Sequence, residues 1–198
     1  MNIGKREFLR LTATAAAALA LAACGGGDDS ANGSGSGGGA GGSGGTGALT
    51  ITGTSNFPDA GTNLVPDAGV PAGASAATTA NNLLNVAINS LVNGNVRFFS
   101  VPLAGSAPPA INASYTVITD GASASGSALS LVVTNALTAK TYAWSSESGT
   151  VKITAISATS VDLLFTGVTF HPTPNPDPAA AFATGKVILN GTVTIGRR

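Results

Sequence analysis

The chain has 198 residues with nine basic and nine acidic side chains, so its formal net charge is zero, and only 9% of its residues are charged. A single cysteine and a single histidine exclude a disulfide framework and a zinc site built from those residue types. With the three basic residues and one acid of the first 23 positions set aside, six basic residues face eight acidic ones. There is no basic stripe, so nucleic acid is not an expected partner.

The N-terminus carries Lys5, Arg6 and Arg10 against one acid, Glu7, and then runs from Leu11 to Ala23 almost entirely in Ala and Leu. A basic head, a short apolar run and small residues at its end form an export signal. The run is shorter than the about 20 residues that a permanent helical span needs. Leu21-Ala22-Ala23-Cys24 resembles the lipobox of bacterial lipoproteins. The resemblance implies cleavage before Cys24, a diacylglyceryl group on its thiol and acylation of the new amine. Two or more acyl chains give stable anchoring where one does not. Lys5-Arg6-Glu7-Phe8-Leu9-Arg10 resembles a twin-arginine export motif with lysine in place of the first arginine, a change that keeps the charge but loses the planar fork. Both the twin-arginine and the general secretory route stay open. Gly25 and Gly26 follow the cysteine. No aspartate directly follows it, which by the same resemblance favours an outer membrane where the organism has one. The side of that membrane is left open.

Residues 1–23 are therefore expected to be a signal peptide, and 24–47 a lipidated cysteine with a Gly/Ser-rich tether. Such a segment has no apolar side chains to bury, and as a flexible coil it reaches roughly 25 Å. Its glycines do not make a phosphate loop, since no Gly-Lys-Ser/Thr ending follows. Residues 48–198 are long enough for one domain with its own core.

Short alternating runs bounded by turn residues fill that domain. Strands are expected at 48–54, 95–101, 114–119, 128–133, 140–145, 150–155, 160–170 and 185–195. Glu147-Ser148-Gly149 reads as a hairpin-like connection, and Asn190-Gly191 as either a hairpin turn or a bulge in one long strand. The fold class is mainly β, an antiparallel sandwich or barrel. One amphipathic helix is expected at about 79–92, where Leu84, Ala87, Ile88, Leu91 and Val92 recur at helical spacing. Thr78 or Thr79 would cap it, and Asn93-Gly94 would end it. Residues 56–75 are rich in Pro, Gly and Ala and read as loop. Phe98 and Phe99 point to opposite faces of their strand, so one belongs to the core and the other lies under the helix or at a contact surface.

Chemistry-bearing residues are few. His171, at the head of a Pro-rich stretch with prolines at 172, 174, 176 and 178, reads as an exposed loop residue. A Ser-His-Asp arrangement would need Asp177 or Asp162 to orient it, and no Gly-x-Ser-x-Gly elbow is present. The prolines read as a spacer between strands or as a rigid binding loop. Asp59, Asp67, Asp120, Glu147, Asp162 and Asp177 mostly sit beside turn residues, where carboxylates accept local backbone hydrogen bonds. No catalytic set, metal or cofactor is assigned. Tyr142 and Trp144 fall on one face of a strand, and they are the candidate ligand platform if they are not a core layer. The expected function is display of a non-catalytic β domain at the cell envelope, with membrane lipid held through Cys24 and an envelope protein or glycan as partner. The alternatives are an envelope-structural lipoprotein with a protein partner, or a hydrolase of wall or glycan material.

Overall fold

The computed structural model describes residues 45–58, 63–119, 126–173 and 183–198. The signal peptide, Cys24 and most of the tether lie outside these residues, as do Asp59, Asp120, Asp177 and the prolines at 174, 176 and 178. The strands are β1 (Thr46–Gly53), β2 (Ala76–Ala80), β3 (Leu83–Val92), β4 (Asn95–Ala104), β5 (Ser114–Thr116), β6 (Ser130–Asn135), β7 (Thr141–Ile156), β8 (Ser160–Pro172) and β9 (Val187–Gly196). They form one antiparallel sheet in the order β1-β9-β8-β7-β6-β4-β3-β2, with β5 on β7. Among the described residues there is no helix.

The sheet curls back on itself. Ala77 of β2 forms a parallel bridge with Arg197, just past β9, and the Arg198 N–H donates to the Ala77 carbonyl at 2.9 Å. From β9 to β2 there are seven strands in alternating directions, so the first and last run parallel where they meet. β1 pairs with β9 along Thr46–Gly53, and β2 takes its place at the end of β9. These contacts cover part of the β2 edge, which otherwise would invite strand pairing with other chains.

Alternation fills the interior. Val187, Leu189, Val193 and Ile195 of β9 point inward with Leu84, Val86 and Ile88 of β3 and Phe99, Val101 and Leu103 of β4. Outward positions carry Thr50, Thr150, Lys152, Asp162, Thr192 and Thr194. Two bulges keep this sense along the longest strands. In β8 the inward set shifts from Val161, Leu163 and Phe165 to Val168 and Phe170, across a register shift between Phe165 and Val168. Gly167 takes φ 56° there, and its N–H donates to Asn190 Oδ1 at 2.7 Å. In β7 the set shifts from Trp144 and Ser146 to Val151 and Ile153, across register shifts on either side of Ser148.

These bulges correct one expectation and decide between the two readings of another. Glu147-Ser148-Gly149 is no hairpin: β7 runs through it for 16 residues, pairing with β6 in its first part and β5 in its second. Asn190-Gly191 lies within a continuous β9, and the extra residue belongs to β8 opposite.

The helix expected at 79–92 does not form. Thr79 and Ala80 end β2, and Leu83–Val92 is β3. The buried positions Leu84, Val86, Ile88 and Ser90 recur at two, not at three and four. Asn81, at φ 53°, turns the chain in a two-residue loop. Asn93 (φ 49°) and Gly94 (φ 74°) are left-handed as expected, but they turn the β3–β4 hairpin, since Val92 pairs with Asn95. β4 also passes through Pro102 to Ala104. Phe99 is core, while Phe98 is half-buried on the outer face beside Val132, with no helix over it.

Candidate functional site

Three places gather polar or aromatic side chains. The first is the barrel interior near the β3–β4 hairpin. Inward alternation on β4 puts Arg97 on the same face as Phe99, Val101 and Leu103, and Arg97 is fully buried. A guanidinium taken out of water costs several kcal/mol unless it is well held. Its Nη1 donates to the Asn63 carbonyl at 3.3 Å, and its Cζ lies 5.4 Å from the centroid of Phe57. Phe57 arrives from the segment after β1, where the backbone is clipped to the far loop. The Asn56 N–H donates to the Thr184 carbonyl, and the Thr184 N–H donates to Asn56 Oδ1 at 2.7 Å. The Phe57 ring also sits 5.3 Å from Trp144. Ser90, the cross-strand partner of Arg97, is fully buried too. Neither Ser90 Oγ nor Trp144 Nε1 has a hydrogen-bond partner among the described residues.

Of the two readings of Tyr142 and Trp144, core layer or ligand platform, the core layer is the one observed for Trp144. Tyr142 and Trp144 do share a face, with centroids 6.2 Å apart and planes 15° from parallel. That face points inward, however. Trp144 is fully buried and Tyr142 half-buried, so Trp144 offers no surface to a sugar ring. Burying the largest aromatic in a chain with few of them outweighs exposing it.

The second place is the outer end of β8. His171 is not a loop residue: it lies in β8, half-buried, opposite Ser145 of β7. The hydroxyl of Ser145 is engaged by Thr173 Oγ1 at 2.7 Å. Asp162, at the other end of the same strand, is roughly 25–30 Å away at the usual strand rise, so it does not orient His171. Glu147 is the acid close enough to feel His171. A hydrogen bond and ion pair with Lys186, N···O 2.8 Å, hold the Glu147 carboxyl below its usual range, with a smaller contribution from His171. Among the described residues, no three His, Cys, Asp or Glu side chains gather as a metal site.

The third place is a groove of about 880 Å³ between the end of β4 and β5, lined by Ala104, Pro108, Ile111, Tyr115 and Ser127 among others. Burial pushes the Tyr115 hydroxyl up. Among the described residues the lining holds no group that is charged at neutral pH.

Asp67 is a different kind of centre. It stands at φ 59°, a conformation that Asp tolerates better than most residues. One oxygen accepts from the Gly45 N–H at 2.8 Å and the Gly73 N–H at 2.9 Å. The other accepts from the Ser75 N–H at 2.5 Å. Burial pushes this carboxyl up, but the backbone N–H groups of Gly45, Ser75 and Gly73, with the Ser75 hydroxyl, outweigh it and leave the group below its ordinary value. As the turn reading expected, Asp67 accepts backbone hydrogen bonds. It also reaches back to the residue where the Gly/Ser-rich segment joins the barrel.

Arg97 and Phe57 were not singled out from the sequence. The signal for Arg97 is its parity with Phe99 and Val101, which places it inward. Phe57 sits in a loop, where no periodicity marks it. No family model, no curated protein and no solved structure matches this chain.

Proposed function

We propose that this chain is an exported, lipid-anchored protein that displays a non-catalytic β-barrel for binding at the cell envelope. Cys24 carries the lipid, the Gly/Ser-rich segment that follows is the tether, and the outer membrane is the favoured site where one exists. The observation that carries this reading is the clamp of Asp67 on the Gly45 N–H. It fixes the residue at which the barrel meets the proposed tether, three residues before the expected start of the domain at 48. Two further features support a binding role over a hydrolytic one. The Ser145 hydroxyl opposite His171 is committed to Thr173, and the Glu147 carboxylate is committed to Lys186.

Membrane fractionation with metabolic palmitate labelling tests the anchor. The wild-type chain is expected in the membrane fraction with label, and Cys24→Ser in the soluble fraction without it. Label-free wild-type protein in the soluble fraction would overturn the proposal. In-cell cross-linking of the anchored chain then identifies the envelope protein or glycan it meets.

A further inference from the structure

The interior layer that holds Arg97 contains more hydrogen-bond donors than the described chain uses. Trp144 Nε1–H and the Ser90 hydroxyl are fully buried and have no partner among the described residues. Buried polar groups are almost always satisfied, and the exceptions call for an explanation such as a ligand or water. The phenyl ring of Phe57 has its centroid 5.4 Å from the guanidinium carbon and 5.3 Å from the indole centroid. This ring comes from the segment after β1, not from the barrel wall.

We infer that this layer is a binding site for a small aromatic carboxylate, with Phe57 standing in the place of the ligand's ring. The inference rests on the binding-module reading above and deepens it. The recognition chemistry follows from the groups present. Arg97 and Trp144 offer a cation and an indole to a planar ring. The guanidinium, the Ser90 hydroxyl and the indole N–H all donate, which suits an acceptor such as a carboxylate. The mouth of a barrel is a common place for such a site. Entry requires Phe57 to turn about its own side-chain bonds, while Asn56 stays clipped to Thr184. Trp144 acts here as a buried donor and does not revive the surface platform.

The test uses the full mature chain with Cys24→Ser, which keeps every barrel residue and needs no detergent. Benzoate and toluene are titrated into Phe57→Ala, with Trp144, the single tryptophan, as the fluorescent reporter. The expected result is benzoate bound at least about tenfold more tightly than toluene, the scale of one hydrogen bond to a charged group. Arg97→Met in the same background should erase that preference, because a buried ion replaced by an apolar side chain often leaves a fold intact. Equal binding of the two probes would reveal only an apolar cavity, and no binding of either would reveal no site. Both outcomes overturn the inference. Should Phe57→Ala not fold, benzoate is titrated into the Cys24→Ser chain with Phe57 in place. A saturable shift in Trp144 emission that Ser90→Ala weakens supports the site, and an unchanged emission rejects it. Membrane fractionation is indifferent to all of these results, so loss of the site leaves the anchor proposal standing on its own test.

Discussion

The carboxylate of Asp67 joins three stretches of chain through the N–H groups of Gly45, Gly73 and Ser75, and its replacement by asparagine isolates what the charge contributes. Asn tolerates the left-handed backbone, so Asp67→Asn leaves the turn unstrained. The amide keeps one acceptor oxygen and turns an NH₂ toward N–H groups that had faced the second. Hydrogen bonds to a charged group are each worth about 1.5–3 kcal/mol. Asp67 is only half-buried, so water replaces part of what is lost, and a net cost of about 2–3 kcal/mol at neutral pH follows. For a protein of this size that lowers Tm by roughly 5–10 °C.

The sign of the pH dependence is set by the lowered carboxyl. Because the folded-state value lies below the unfolded value of 3.8, the stabilisation is complete above the unfolded value and is lost as pH falls through the folded one. The difference in Tm between wild type and Asp67→Asn should therefore be widest at neutral pH and narrow below the unfolded value. Thermal melts followed by Trp144 emission across this range measure it. Equal Tm values at neutral pH, or a gap that widens in acid, would refute the reasoning.

Four further outcomes follow from the fold. Gly149→Ala is expected to destabilise by about 3 kcal/mol or more, because a Cβ there would meet Val168 Cα at 2.6 Å from a backbone at φ 122°. Gly94→Ala, left-handed but with nothing within 4 Å of its Cβ, should cost only about 1 kcal/mol, and urea titration of the pair separates collision from conformation. Ile88→Ala should cost about 2–4 kcal/mol, whereas Ala87→Glu, on the half-buried outer face of the same strand, should cost less than about 1.5 kcal/mol. Similar costs at both positions would favour the helical spacing over the strand. Trp144 emission in the wild-type chain should be blue-shifted and resistant to acrylamide, and red-shifted, quenchable emission would contradict its burial. Lys186→Ala should leave Tm within about one degree of wild type, since exposed ion pairs contribute little.

Much of the β architecture was legible because alternation and turn chemistry are local. Asn93-Gly94 marks a left-handed turn whatever surrounds it, and the opposite sides of Phe98 and Phe99 follow from the pleat alone. The segment at 79–92 misled because two periodicities coexist in it. Leu84, Ala87, Ile88 and Leu91 satisfy a helix, while Leu84, Val86 and Ile88 satisfy a strand. Neither pattern is stronger in isolation. β2 and β4 decide between them by pairing with β3 on both sides.

The candidate site was less legible than the fold. Alternation places Arg97 inward with Phe99, but an arginine ordinarily reads as an outward residue, and tertiary contacts, the ring of Phe57 and the carbonyl of Asn63 among them, make its burial intelligible. Tyr142 and Trp144 were placed on one face correctly, yet which face meets water depends on how the sheet curls. By itself, the sequence determined a β-rich class, the left-handed turn at Asn93-Gly94 and the weak charge of the chain, because these depend on residues close together in the chain. Tertiary structure alone decided the bulges at Gly149 and Gly167, the closure of β2 on β9, and the inward fate of Arg97 and Trp144. Those depend on contacts between strands far apart in sequence, where burial of apolar side chains on one closed face outweighs any local preference.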